Sequence, residues 1–161
     1  MKKWFLIIAA FVIAGYAAYG LHLIYSENLP INADKYRVLI VFNRADQRKA
    51  PYDIDAYQSV LTEEGVPWEA VEIVKLIKTP VKQMAKNVPA IIFPDFLLQH
   101  MPEETIELVK DYLNNGGILA VIYDVGVKKG RSDNSYREQA LLSDIVGVDY
   151  MTFNQYKGKS Y

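Results

Sequence analysis

Cysteine is absent from this chain of 161 residues, and histidine occurs only as His22 and His100. The missing cysteine excludes a disulfide framework, thiolate metal sites, a cysteine nucleophile and a lipid-modified N-terminal cysteine. An excess of positive charge is also missing, because the formal net charge is −1, and nucleic acid is therefore not expected as a partner. Apolar residues make up 51% of the chain, enough for one domain with a hydrophobic core and a short appendage.

Charged residues are also absent from residues 4–25, which follow Lys2 and Lys3. At about 1.5 Å rise per residue, a helix over this run crosses the roughly 30 Å hydrocarbon core of a bilayer. The two lysines favour the cytoplasmic side, which places the remainder outside. We therefore expect a single-pass anchor over residues 1–25 in a bacterial cell membrane, a linker over 26–35 and an extracytoplasmic domain. A cleaved secretory signal, which would release the domain, is the alternative.

Apolar runs alternate with helical patterns in the remaining residues, 36–161. Strands are predicted over residues 36–43, 68–74, 90–93 and 118–123, and a fifth begins within 149–153. Helices are predicted over residues 52–64, 79–87, 102–115 and 136–146. Thr79 is the expected cap of the second helix, Glu103 and Glu104 lie in the first turn of the third, and Gly116 or Gly117 provides its left-handed exit. This alternation predicts an α/β fold with a flavodoxin-like, doubly wound, mostly parallel sheet.

Two ordered patterns resemble a known superfamily. The first, from Val88 to Gly126, consists of an apolar strand, Pro-Asp, a Pro-Glu-Glu helix, Tyr-Leu-Asn-Asn-Gly-Gly, a second strand and a sharp turn. The second is Ala-Leu-Leu-Ser-Asp-Ile-Val-Gly-Val over residues 140–148. Together they resemble the class I glutamine-amidotransferase-like superfamily over residues 36–153. The likeness is to its degenerate branch, which includes the trimerisation domain of certain beta-galactosidases and domains beside glycosidases or polysaccharide deacetylases.

Active members of that superfamily carry a cysteine on the turn after the strand, with a histidine and a glutamate downstream. The corresponding turn here has Tyr123, Asp124 and Val125, and no histidine follows it. The resemblance therefore implies a scaffold without amidotransferase activity. It also implies further strands after Tyr161, so that the domain of residues 36–161 is expected to be incomplete at its C-terminus.

Candidate ligand-binding residues follow from the predicted sheet, since ligands of open α/β sheets bind outside the carboxyl ends of the strands. These ends carry Asn43 and Arg44, with Asp46 close behind, then Asp95 and Asp124. Asn43, Arg44, Asp95 and Asp124 are the candidates. The other interpretation is structural, because aspartates after strands commonly cap helices or accept hydrogen bonds from loop amides. No metal or cofactor site is assigned, and His100 has no predicted partner nearby.

The leading hypothesis is a membrane-anchored, non-catalytic accessory or assembly module of a carbohydrate-active protein such as a glycosidase or polysaccharide deacetylase. Its expected partners are the membrane through residues 4–25, a carbohydrate ligand, and either further copies of the chain or a downstream catalytic domain. Two alternatives remain. One is a saccharide hydrolase that uses Asp95 and Asp124 as an acid and base pair. The other is a solute-binding module.

Overall fold

Four parallel strands form one sheet in the order β2-β1-β3-β4 in the computed structural model of the chain. The strands are β1 (Val38–Phe42), β2 (Trp68–Glu72), β3 (Ala90–Phe93) and β4 (Ile118–Val121). The structure describes residues 31–32, 35–48, 53–129 and 135–149. Within these residues the prediction of an α/β fold with a parallel sheet is confirmed.

Six helices accompany the strands in the described ranges. They are α1 (Arg44–Gln47), α2 (Asp53–Glu63), α3 (Ile73–Ile77), α4 (Val81–Asn87), α5 (Thr105–Asn114) and α6 (Ser143–Val146). None of them combines the length and the apolarity that a bilayer crossing requires. The predicted anchor over residues 4–25 and the last part of the predicted fifth strand lie outside the described residues.

Strand β1 is the centre of the hydrophobic core. Val38, Leu39, Ile40 and Val41 are all buried. Because successive side chains of a strand point to opposite faces, this strand is covered on both faces, as its unbroken apolar run predicts. The edge strand β4 differs, since Ile118 is 63% exposed.

Two predicted element boundaries are wrong. The second strand ends at Glu72, because Ile73 and Val74 begin helix α3. The third predicted helix begins at Thr105 rather than Pro102, so that Glu103 lies ahead of it. Glu103 instead pairs with Arg137, with 3.2 Å between its carboxylate and the guanidinium.

The predicted cap of α4 is also wrong. Pro80 holds the N-cap position, and no side chain accepts a hydrogen bond there. The hydroxyl of Thr79 is already in use, because it donates to the Lys75 carbonyl at 2.9 Å and accepts from the Ile31 N–H at 3.0 Å. The Thr79 hydroxyl therefore bonds to the C-terminal part of α3 and does not cap the N-terminus of α4.

The helix predicted over residues 136–146 is reduced to the single turn of α6. Tyr136 pairs with Lys128 in an isolated antiparallel bridge. The N–H of Arg137 donates to the carbonyl of Val127 at 2.7 Å. These bonds to a neighbouring segment take residues 136 and 137 out of the helical hydrogen-bond pattern, whereas the predicted closing glycine, Gly147, has φ 75° and ends α6 as expected.

Candidate functional site at the carboxyl edge of the sheet

The direction in which strands are added to the sheet reverses at β1. From β1 the chain proceeds to β2 on one side, and then to β3 and β4 on the other. Ligands of open α/β sheets bind in the crevice outside the carboxyl ends of the strands at such a reversal. Three segments follow strands at this edge: residues 43–48, which include α1, after β1, the loop of residues 94–102 after β3, and the loop of residues 122–129 after β4.

Asn43 joins the first two loops. Its N–H donates to the Leu97 carbonyl at 2.7 Å, and its side-chain amide donates to the His100 carbonyl at 2.6 Å. Its side-chain oxygen accepts from the Ala45 N–H at 2.9 Å and so caps α1. Both ends of this candidate side chain are therefore engaged within the protein.

Asp46 and His100 form a buried pair across the same two loops, and this corrects the expectation that His100 has no partner nearby. Asp46 is 1% exposed and His100 is 2% exposed. One carboxylate oxygen lies 2.6 Å from His100 Nδ1, and the other accepts the backbone N–H of His100 at 2.9 Å. His100 Nε2 is buried and has no hydrogen-bond partner among the described residues.

Tyr123 lies on the sharp turn after β4, where the resemblance places a nucleophile. Its φ is 51°, in the left-handed region that few non-glycine residues adopt, and its side chain is 70% exposed. Phe96, in the neighbouring loop, has φ 58° and is 47% exposed. Strained backbone of this kind persists only where the surrounding structure fixes it.

Asp124, the residue after Tyr123, anchors the loop that carries Phe96. Its side chain is 3% exposed. One carboxylate oxygen accepts the Phe96 N–H at 2.8 Å, and the other accepts a hydrogen bond from the side-chain amide of Gln99. Asp124 therefore ties the loop after β4 to the loop after β3, and neither of its oxygens is left without a donor.

Asp95, the second candidate carboxylate, is partly exposed in the loop after β3. One of its oxygens accepts a hydrogen bond from the Tyr57 hydroxyl of α2 at 3.0 Å. The structure thus brings Asp95 and Asp124 to neighbouring loops of one edge, each bound to a neutral donor.

A cleft of about 250 Å³ opens at this edge, beyond the ends of β1 and β2. Its polar lining consists of Asn43, Arg44, Arg48 and Glu72, and Ile73 and Pro102 are among its apolar residues. The guanidinium of Arg44 lies 3.1 Å from the Glu72 carboxylate. Sequence reasoning included Asn43 and Arg44 but missed Glu72 and Arg48. Glu72 is the last residue of β2, so its position at a strand end could have identified it as a candidate. The sequence prediction missed it because it extended that strand to residue 74.

No group of three or more histidine, aspartate or glutamate side chains is arranged to hold a metal ion in the described part of the chain. Comparisons with family models, with curated proteins and with solved structures find no match to this sequence.

Proposed function

We propose that this chain is a membrane-anchored, extracytoplasmic, amidotransferase-like module without catalytic activity, which serves a carbohydrate-active protein as its accessory or assembly domain. In this proposal the sheet is the flavodoxin-like, doubly wound kind. The strand order β2-β1-β3-β4 supports it, because it is the first part of the flavodoxin-like order. The uncharged run over residues 4–25 supports the anchor.

The observation that carries the proposal is the turn at Tyr123. A nucleophile in α/β hydrolytic folds lies on a sharp, strained turn directly after a strand, where its side chain is exposed. Tyr123 has the exposure and the left-handed φ of such a position. It carries a phenol where active members of the amidotransferase-like superfamily carry a cysteine. The described histidine, His100, is buried against Asp46 on another loop.

The exposed rings of Phe96 and Tyr123 suit a saccharide ligand. Aromatic faces carry partial negative charge, and they attract the partly positive C–H groups on the flat side of a sugar ring. A tyrosine adds a hydroxyl that exchanges hydrogen bonds with sugar hydroxyls. Both residues have positive φ, a conformation that persists only where the surrounding structure fixes it, and both lie at the carboxyl edge of the sheet, where ligands of open α/β sheets bind.

Turnover and binding assays on the full chain in detergent micelles test this proposal. We expect no turnover of glutamine, chromogenic glycosides or acetylated saccharides, together with measurable binding of neutral or N-acetylated oligosaccharides of glucose. Tyr123→Asn is expected to weaken that binding roughly three- to tenfold, while the fold persists because asparagine tolerates left-handed φ. Tyr36→Asn is the matched control, since Tyr36 is 66% exposed and its φ is not positive.

Saccharide hydrolysis that disappears in both Asp95→Asn and Asp124→Asn would overturn the proposal in favour of a hydrolase. A stability measurement must accompany the second variant. An asparagine amide cannot accept from both Phe96 and Gln99, so Asp124→Asn is expected to cost about 1–3 kcal/mol of folding free energy. Loss of activity at temperatures where the variant stays folded is the decisive comparison.

A further inference from the structure

The cleft at the ends of β1 and β2 has an unbalanced positive charge. Arg44 is paired with Glu72 at 3.1 Å, so these two side chains offset each other. Arg48, at the end of α1, is exposed and has no ion pair among the described residues. The polar wall of the cleft therefore carries two guanidinium groups and one carboxylate. A ligand with a single negative charge balances it.

Guanidinium groups recognise carboxylates with particular geometry. Their planar fork of N–H donors matches the two oxygens of a carboxylate, and the resulting hydrogen bonds are stronger than those between neutral groups. The Glu72 side chain, 17% exposed, provides an acceptor for a hydroxyl group on the same ligand. A hydroxylated carboxylic acid satisfies both kinds of group at once.

The size and the remaining walls of the cleft limit the range of ligands that fit it. Its volume of about 250 Å³ lies just below the roughly 300–1,000 Å³ of sites that hold drug-sized molecules. Ile73, Val74 and Pro102 add apolar surface, against which the C–H face of a sugar ring packs. One saccharide unit fits this combination of volume, apolar wall and hydroxyl acceptor.

We infer that this cleft binds a single acidic sugar residue, with the sugar carboxylate at Arg48 and Arg44 and a sugar hydroxyl at Glu72. The inference rests on the proposed function, because that function is the reason for taking the ligand to be a saccharide. It adds the chemical class of the ligand, a uronic acid, and a contact surface separate from the turn that carries Tyr123.

Isothermal titration of the full chain in detergent micelles with glucuronic acid tests this inference, with glucose and inorganic phosphate as the comparison ligands. Glucuronate is expected to bind at least tenfold more tightly than either. Arg48→Gln is expected to weaken glucuronate binding by about ten- to a hundredfold, because a charge-assisted hydrogen bond is lost. Raising the ionic strength to about 1 M is expected to weaken it as well, since exposed charges are screened.

Lys110→Gln is the matched control. It removes one exposed cation from α5, outside the residues that line the cleft, and it is expected to leave glucuronate affinity unchanged. Glu72→Gln is a second test: it frees Arg44 from its ion pair, and its amide oxygen still accepts a sugar hydroxyl, so glucuronate affinity is expected to rise. Phosphate that binds as tightly as glucuronate would overturn the inference, as would the absence of glucuronate binding or equal losses in Arg48→Gln and Lys110→Gln.

The same samples separate this inference from the proposed function. Tyr123→Asn is expected to leave the effect of Arg48→Gln on glucuronate affinity unchanged, because Tyr123 does not line the cleft. If glucuronate fails to bind while Tyr123-dependent binding of neutral oligosaccharides is observed, the acidic-sugar site is wrong and the proposed function stands. If the chain hydrolyses a saccharide, the proposed function is wrong whatever the cleft binds.

Discussion

Asp124 and Asn43 have the residue types and positions of ligand-binding groups, yet both are engaged in holding loops together. Asp124 accepts from Phe96 and Gln99, and Asn43 contacts Ala45, Leu97 and His100. At the scale of single residues, a polar side chain at a strand end first satisfies buried backbone groups, because an unpaired buried amide costs about 1–3 kcal/mol. The aromatic side chains of Phe96 and Tyr123 are among those that remain exposed at this edge. No sequence motif distinguishes the two groups, since both follow a strand.

Tyr112 provides a residue-scale prediction of pH dependence. Its side chain is fully buried, and its hydroxyl donates to the Val88 carbonyl at 2.7 Å. Burial raises the pKa of Tyr112 from 10.0 to about 12, and a backbone hydrogen bond from Ile118 partly opposes this rise. The folded state therefore favours the protonated phenol. Its contribution to stability is complete below pH 10, the unfolded pKa, and is lost as pH rises from 10 through 12.

The predicted loss is about 2–3 kcal/mol, from roughly 1.36 kcal/mol for each unit of pKa difference. Chemical denaturation at several pH values between 9 and 12 measures it. Lysines and other tyrosines titrate in the same range, so the quantity of interest is the difference between the native chain and Tyr112→Phe. The variant is expected to be less stable at pH 9 but to lose less stability on going to pH 12. Parallel pH profiles would contradict the assignment to Tyr112.

At the scale of secondary-structure elements, the turn between α5 and β4 depends on two glycines for different reasons. Gly116 has φ 87° and ends the helix in the left-handed conformation. Gly117 does not have positive φ, but a Cβ built on it lies 2.2 Å from the Tyr112 ring. That ring is buried and held through its hydroxyl to Val88, so it cannot move away at low cost.

Gly117→Ala is therefore expected to destabilise the protein by about 2–3 kcal/mol through overpacking. Gly65→Ala is the matched control, because Gly65 has φ 67° with nothing within 4 Å of the added Cβ. It is expected to cost only about 1 kcal/mol of backbone strain. Urea denaturation of both variants measures the two losses. Equal losses would mean that the close packing of Tyr112 over Gly117 is not what requires glycine there.

Elements with strong local signals were predicted from the sequence, and elements that depend on distant partners were not. The apolar run of β1 and the closing Gly116 of α5 are examples of the first kind. Helix α3 was missed because Ile73 and Val74 extend the apolar pattern of β2, and periodicity cannot separate a short buried helix from a strand. The long helix predicted from Tyr136 fails because Tyr136 pairs with Lys128 instead.

At the scale of the whole molecule, the sequence predicted which residues lie at the carboxyl edge of the sheet. It did not predict which of the residues there pair with each other. Parallel strands bring their carboxyl ends together, so Asn43, Asp95 and Asp124 reach one edge as expected. Asp46 and His100 are separated by 54 positions, and only the neighbouring places of β1 and β3 in the sheet join them. A local pattern contains no information about that neighbourhood. The cleft charge was also missed, since Arg48 follows helix α1, Glu72 ends strand β2, and the sequence prediction extended that strand to residue 74.

The Asp46–His100 pair also joins the two halves of the sheet. Strands β1 and β2 are paired along their full length, and so are β3 and β4, whereas β1 and β3 are in register only at Leu39 with Ile91 and Ile40 with Ile92. The buried pair continues the β1–β3 junction beyond the strand ends. Its removal is therefore expected to lower the stability of the whole domain rather than to loosen one loop.

Asp46→Ala is predicted to cost about 2–6 kcal/mol, because it leaves the buried backbone N–H and Nδ1 of His100 without a partner, at roughly 1–3 kcal/mol for each. His100→Phe is expected to cost less, because the carboxylate keeps the backbone N–H of residue 100. A double-mutant cycle with both changes, followed by urea denaturation, should give a coupling energy of about 0.5–3 kcal/mol with a single transition in each variant. Additive losses would show that the two side chains act independently. Two separate transitions in Asp46→Ala would instead show that each half of the sheet unfolds by itself, and that the β1–β3 junction depends on this pair for its cooperativity.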